Sequence, residues 1–166
     1  MGASDTPYAR VHLLRSIIRL CESTSAGGAV YADGAGGSTV ILLTNSTLES
    51  NKGFHGGALF ATGGARVELT EGSKSSLKNN QATTGGGGIW LQNEGTRLDI
   101  TGVGTELVVD GNTANSGGGV LANLASIVTV SSGASLKVLN NKATAQHGGG
   151  FYLQNIGTRL DVTGDG

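Results

Sequence analysis

The sequence predicts an all-β chain wound as a parallel β-helix, with three strands in each coil of about 30 residues and a short N-terminal helix ahead of it. Three observations carry this prediction. GIWLQNEGTRLDITG at 88–102 returns 62 residues later as GFYLQNIGTRLDVTG at 150–164, identical at eleven of fifteen positions. Beneath that copy runs a shorter period: GGAVY (27–31), GGALF (56–60), GGGIW (86–90), GGGVL (117–121) and GGGFY (148–152) recur at spacings of 29, 30, 31 and 31. Between these anchors lie short segments of strict alternation, ARVELT, TRLDIT, SIVTVS and TRLDVT, and a period of two marks strands rather than helices.

The N-terminal stretch reads differently from the rest. In VHLLRSIIRLCE, residues Val11, Leu14, Ile17, Ile18 and Cys21 share one helical face, so residues 1–22 are expected to form an amphipathic helix or cap, or to reflect a misplaced start. Arg15 and Arg19 interrupt the apolar run, so no signal peptide is visible, and Pro7 disfavours reading MGASDT as a myristoylation pattern. Residues 23–166 are expected to form one β-helix domain that stops in mid-coil at GTRLDVTGDG and continues C-terminally in a longer protein.

Each coil opens with the glycine anchor, where sharp corners need φ > 0. In the strand that follows, Val30, Leu59, Ile89, Val120 and Phe151 would fill the bore, with Ala32, Ala61, Leu91, Ala122 and Leu153 two residues on. The second strand turns Val67 and Leu69, Leu98 and Ile100, Val128 and Val130, Leu160 and Val162 inward; the third adds Leu107, Val109, Leu136 and Val138. An aliphatic-x-x-Asn motif ends each coil, placing Asn51, Asn80, Asn112 and Asn141 in register for a stacked amide ladder.

LKNNQATTGGGGIW, VDGNTANSGGGVL and VLNNKATAQHGGGFY resemble the repeats of the polymorphic outer membrane protein family, which pairs Phe-x-x-Asn with Gly-Gly-Ala-(Ile/Leu/Val). The resemblance spans residues 27–166, with Leu or Val at the family's Phe and Gly at Ala in three anchors. It implies a Gly-rich right-handed parallel β-helix, the passenger of a secreted, autotransporter-like surface protein.

Composition narrows the function classes. With 30 Gly, one Pro and a net charge of −1, the chain is neither collagen nor a charged disordered tail, and it offers no basic face for nucleic acid. No apolar run is long enough for a transmembrane helix, and the lone Cys21 cannot form an internal disulfide. Charged residues fall in repeating rows, Arg66, Arg97 and Arg159 beside Glu68, Asp99 and Asp161, the signature of a solvated sheet face rather than of a catalytic cluster. His55 and His147 stand three coils apart, too far to share a metal, so no catalytic residue, metal or cofactor is expected.

One row points to recognition. If Val30 and its equivalents face inward, then Tyr31, Phe60, Trp90, Leu121 and Tyr152 face outward, followed on the same face by Asp33, Thr62, Gln92, Asn123 and Gln154. Aromatic rings beside amides suit a glycan or a protein partner. The candidate binding set is therefore Tyr31, Phe60, Trp90, Tyr152, Gln92, Asn123 and Gln154, and the structural alternative is a ring stack that only stabilises the sheet. The expected function is a non-enzymatic structural or adhesive segment at the cell surface or outside the cell. The alternative is part of a carbohydrate-active β-helix enzyme, a lyase or hydrolase, whose catalytic coils lie beyond this chain.

Overall fold

The computed structural model describes residues 9–35 and 39–164; MGASDT and Pro7 lie outside the described residues. About five coils stack into a parallel solenoid whose strands form four sheets. Sheet I contains Arg10–Leu14, Val40–Thr44, Arg66–Leu69, Arg97–Thr101, Ile127–Ser131 and Arg159–Val162. Sheet II contains Ile17–Arg19, Thr47–Glu49, Lys74–Lys78, Glu106–Asp110 and Ser135–Leu139. Sheet III consists of Lys52–His55, Gln81–Gly85, Thr113–Ala114 and Lys142–Ala143, and sheet IV of Val30–Asp33, Leu59–Thr62, Ile89–Gln92, Val120–Asn123 and Phe151–Gln154.

Every pairing is parallel and joins a strand to its equivalent one coil away, as Ile89 to Leu59 and Val120, or Leu98 to Val67 and Val128. The predicted columns therefore lie in register. Their inward members make the core: Leu59, Ile89, Leu91, Leu98, Ile100, Leu107 and Val109 are fully buried. At the last coil the same columns are less covered, with Leu153 and Val162 exposed.

The coil holds four strands where the sequence reading gave three. The added sheet III strand directly follows each Asn and spans only two residues at Thr113–Ala114 and Lys142–Ala143, too few to display alternation.

The N-terminal helix is overturned: Arg10–Leu14 pairs with Val40–Thr44 and Ile17–Arg19 pairs with Thr47–Glu49, so the solenoid already includes these residues and has no seam at 22/23. The apparent helical face arises from two bends. Arg15 and Leu20 adopt left-handed φ of 49° and 59°, as their counterparts Asn45 and Ser50 do, and Leu13 before the first bend and Ile18 between the two pack on the core. Ile18-x-x-Cys21 is the aliphatic-x-x-Asn motif with Cys in the amide's place, and Cys21 N–H donates to Asn51 Oδ1 at 3.0 Å.

The Asn residues connect the coils. Asn51, Asn80 and Asn112 each donate from Nδ2 to the Oδ1 of the next Asn at 2.9–3.0 Å, and their backbone N–H groups donate to the same oxygens at 2.9 Å. Each Nδ2 also donates back to a carbonyl of the preceding coil, Ile18, Leu48, Leu77 or Val109. A buried amide with both hydrogens and its oxygen bonded has no unmet polar group.

The glycine pair has two separate causes. Gly86 sits at φ 62°, a left-handed corner that a side chain would strain. At Gly87 a Cβ would overlap the Gly118 carbonyl of the next coil and lie 2.6 Å from the Thr113 carbonyl, so the backbones approach too closely for any side chain.

Candidate functional site

The outer face of sheet IV carries the aromatic row, because Tyr31, Phe60, Trp90, Leu121 and Tyr152 alternate with the buried bore residues. The row is nevertheless not uniformly open. Tyr31 is exposed, Trp90 and Tyr152 are half-buried, and Phe60 and Leu121 are buried. Phe60 points outward as expected yet is covered, and the cause is aromatic packing across a corner. Phe60 lies between Tyr31 (centroids 5.7 Å, stacked) and Trp90 (5.5 Å, edge-on), and His55 from sheet III closes over both at 5.7 and 4.5 Å. Phe54 flanks His55 at 4.7 Å.

His55 is thus a wall of this cluster. Its Nδ1 lies 2.5 Å from Thr84 Oγ1, and burial pushes its imidazole below the ordinary histidine range. Tyr31 is shifted up, first by burial and then by the Asp33 carboxylate, to which its hydroxyl donates at 3.3 Å.

Tyr152 belongs to a second cluster. His147 meets it edge-on at 5.1 Å, from the position that His55 holds beside Phe60 three coils back. Between the two clusters the same corner column holds Gly85 and Ser116, which pair with each other and continue the column from His55. Neither reaches over the row, and the result is a recess of about 290 Å³.

Trp90, Leu121 and Tyr152 line the recess together with the amides Asn123, Gln146 and Gln154. Thr84 and Ser116 supply hydroxyls. Asn123 Oδ1 accepts the Trp90 indole N–H at 3.2 Å, which fixes the ring, and Ser116 Oγ donates to Gln146 Oε1 at 3.0 Å. No Asp, Glu, Lys, Arg or His lines this recess.

The candidate set therefore divides. Trp90, Tyr152, Asn123 and Gln154 come together at the recess; Tyr31 and Phe60 lie in the neighbouring stack; Gln92 is half-buried and does not line it. Sequence reasoning missed Thr84, Ser116 and Gln146. Their signal was the break in the corner column, where His55 and His147 flank two small residues.

The charged rows of sheet I pair with each other. Arg66 pairs with Glu68 at 2.8 Å and reaches Asp99 of the next coil at 3.6 Å, while Arg97–Asp99 and Arg159–Asp161 close at 2.9 and 2.7 Å. Such half-exposed pairs contribute about 0–1 kcal/mol each and set up no acid–base dyad. Among the described residues no group of three His, Cys, Asp or Glu side chains could hold a metal ion, and no helix is long and apolar enough to cross a membrane.

Compared with known proteins, residues 12–165 match the family described as right handed beta helix region. No curated protein and no solved structure matches the chain.

Proposed function

The chain belongs to the right-handed β-helix family, and from that premise we propose that it is a non-enzymatic structural and adhesive segment of a cell-surface or secreted protein, presenting its aromatic and amide face to a glycan or protein partner. One observation carries the reading: the outer face of sheet IV holds an uncharged recess lined by Trp90, Leu121 and Tyr152 and edged by amides. A ring face flanked by amide donors and acceptors is chemistry for recognition rather than for bond cleavage, which calls for paired titratable groups. The carboxylates of sheet I are each neutralised by a neighbouring arginine in a repeating pattern, which supports a scaffold role for that face. The likeness of the anchors and Asn motif to polymorphic outer membrane protein repeats supports a surface location, associated with the outer membrane if the source is bacterial.

The test is binding of the full chain to a glycan array and to intact cells, beside Trp90→Ala and Tyr152→Ala. The adhesive reading expects saturable binding that is lost in variants whose β-rich circular dichroism is unchanged. A well-folded chain that binds neither glycan nor cell surface would make it a spacer and reject the recognition face.

A further inference from the structure

The recess also specifies what kind of ligand it takes. Resting on the adhesive reading above, we propose that the gap between the two aromatic clusters is a saccharide subsite for an uncharged pyranose oligosaccharide, with Trp90 and Tyr152 as ring platforms and Asn123, Gln146 and Gln154 as hydroxyl-reading amides.

Space is the first argument. Gly85 has no left-handed φ, so its backbone does not require glycine. A Cβ there would stand 2.5 Å from Leu121 Cδ1 and 3.6 Å from Trp90 Cε3, so the Leu121 side chain packs directly over the bare backbone at 85. The equivalent position one coil back carries His55, which covers Phe60 and Trp90. Absence of a side chain at 85 therefore lets Leu121 lie low beside Trp90, where it lines the recess instead of being pushed up into it. Trp90 and Tyr152 are two coils apart, about 10 Å at one strand spacing per coil, and a disaccharide fills such a span.

Chemistry is the second. Among the described residues the side-chain nitrogens of Asn123, Gln146 and Gln154 donate no hydrogen bond within the chain, whereas Asn123 Oδ1 and Gln146 Oε1 are already engaged. The recess thus offers unpartnered N–H donors to hydroxyl oxygens, beside aromatic faces that attract the electropositive C–H side of a pyranose. An acidic saccharide would need a basic partner to offset loss of its hydration, and the recess lining contains none.

Trp90 is the chain's one tryptophan, so its emission reports on the site directly. The full chain is titrated with cello-, manno-, malto- and chito-oligosaccharides and, separately, with oligogalacturonate. The proposal expects a saturable change in Trp90 emission with a neutral series and none with oligogalacturonate. Gly85→His, which repeats the residue of the neighbouring coil, should weaken binding at least roughly tenfold, the scale of losing a central anchor contact. Because the new side chain could disturb Leu121, Gln146→Ala is tested beside it and should weaken the same series. Binding of oligogalacturonate as tight as that of the neutral series would overturn the proposal, as would neutral binding indifferent to both variants; each leaves the adhesive reading standing. No response to any neutral series also overturns it, and the intact-cell assay then decides separately whether the adhesive reading falls too.

Discussion

Replacing Asn112 with alanine should be among the most damaging single changes in this chain, and the hydrogen bonds of the ladder give the scale. Asn112 is fully buried. Its Oδ1 accepts Asn80 N–H and Asn80 Nδ2, both at 2.9 Å, and its Nδ2 donates to Asn141 Oδ1 at 2.9 Å and to the Leu77 carbonyl at 3.0 Å. Alanine removes all four bonds. Asn141 Oδ1 keeps the Asn112 backbone donor, and Asn80 Nδ2 keeps the Leu48 carbonyl. Two donors are left orphaned in a dry interior, the Asn80 backbone N–H and one Asn80 amide hydrogen. At about 1–3 kcal/mol for each unmet buried group the loss is about 2–6 kcal/mol, against a total stability of about 5–15 kcal/mol for a domain. Asn141→Ala breaks the same motif at a half-buried position, where water can replace part of what is lost, and should cost clearly less. Urea unfolding followed by far-ultraviolet circular dichroism separates the two through their midpoints at constant m. A fall in m for Asn112→Ala would mean that the coils on either side now unfold separately, which nearest-neighbour stacking allows. A cost below about 1 kcal/mol, or one equal to that of Asn141→Ala, would refute the claim that the amides hold the coils together.

Two further outcomes follow from the same geometry. Gly72→Ala meets no atom within 4 Å but sits at φ 71°; the strain of about 1–2 kcal/mol should lower Tm by roughly 2–8 °C. Gly87→Ala drives a Cβ into backbone carbonyls that cannot yield and should lower Tm much further or prevent folding; equal shifts would show that the coil approach is looser than described. His55 should report protonation through Trp90, its edge-on neighbour at 4.5 Å. Because burial lowers its folded-state pKa from 6.5, its contribution to stability is complete above that value and is lost as pH falls through the folded-state value. Trp90 emission should therefore titrate with a midpoint below 6.5, and the transition should vanish in His55→Phe; an unchanged transition would assign it to another group.

How much of this was legible in the sequence depended on whether a feature repeats. The bore columns and the alignment of the Asn residues were visible because each appears in four or five copies, and a residue such as Leu98 could be checked against Val67 and Val128. The first coil was misread because one copy of Val11, Leu14, Ile17, Ile18 and Cys21 matches a helix by coincidence, while the bend at Arg15 that breaks it leaves no compositional mark. Sheet III was missed because Thr113–Ala114 is too short for a period. Exposure of the aromatic row could not be read at all. Whether Phe60 is covered depends on His55, which approaches it across a corner and not along a strand.

A repeat fold also separates its stability from its specificity. Each coil touches only its neighbours, so the ladder, the glycine corners and the bore must be satisfied in every unit, and their residues are correspondingly uniform. A site on such a scaffold can arise only where a column departs from its repeat at a position that none of those requirements uses. The corner column meets that condition. It tolerates Ala26, His55, Gly85, Ser116 and His147 in succession, which shows that the backbone there is indifferent to side-chain size. Its occupants instead decide whether the aromatic row is roofed or open. Substitutions at Gly85, Ser116 or Gln146 should therefore change what the face binds while leaving the Asn ladder unmoved. Asn112 lies on the opposite side of that division: its loss should weaken the solenoid without touching any residue that lines the recess.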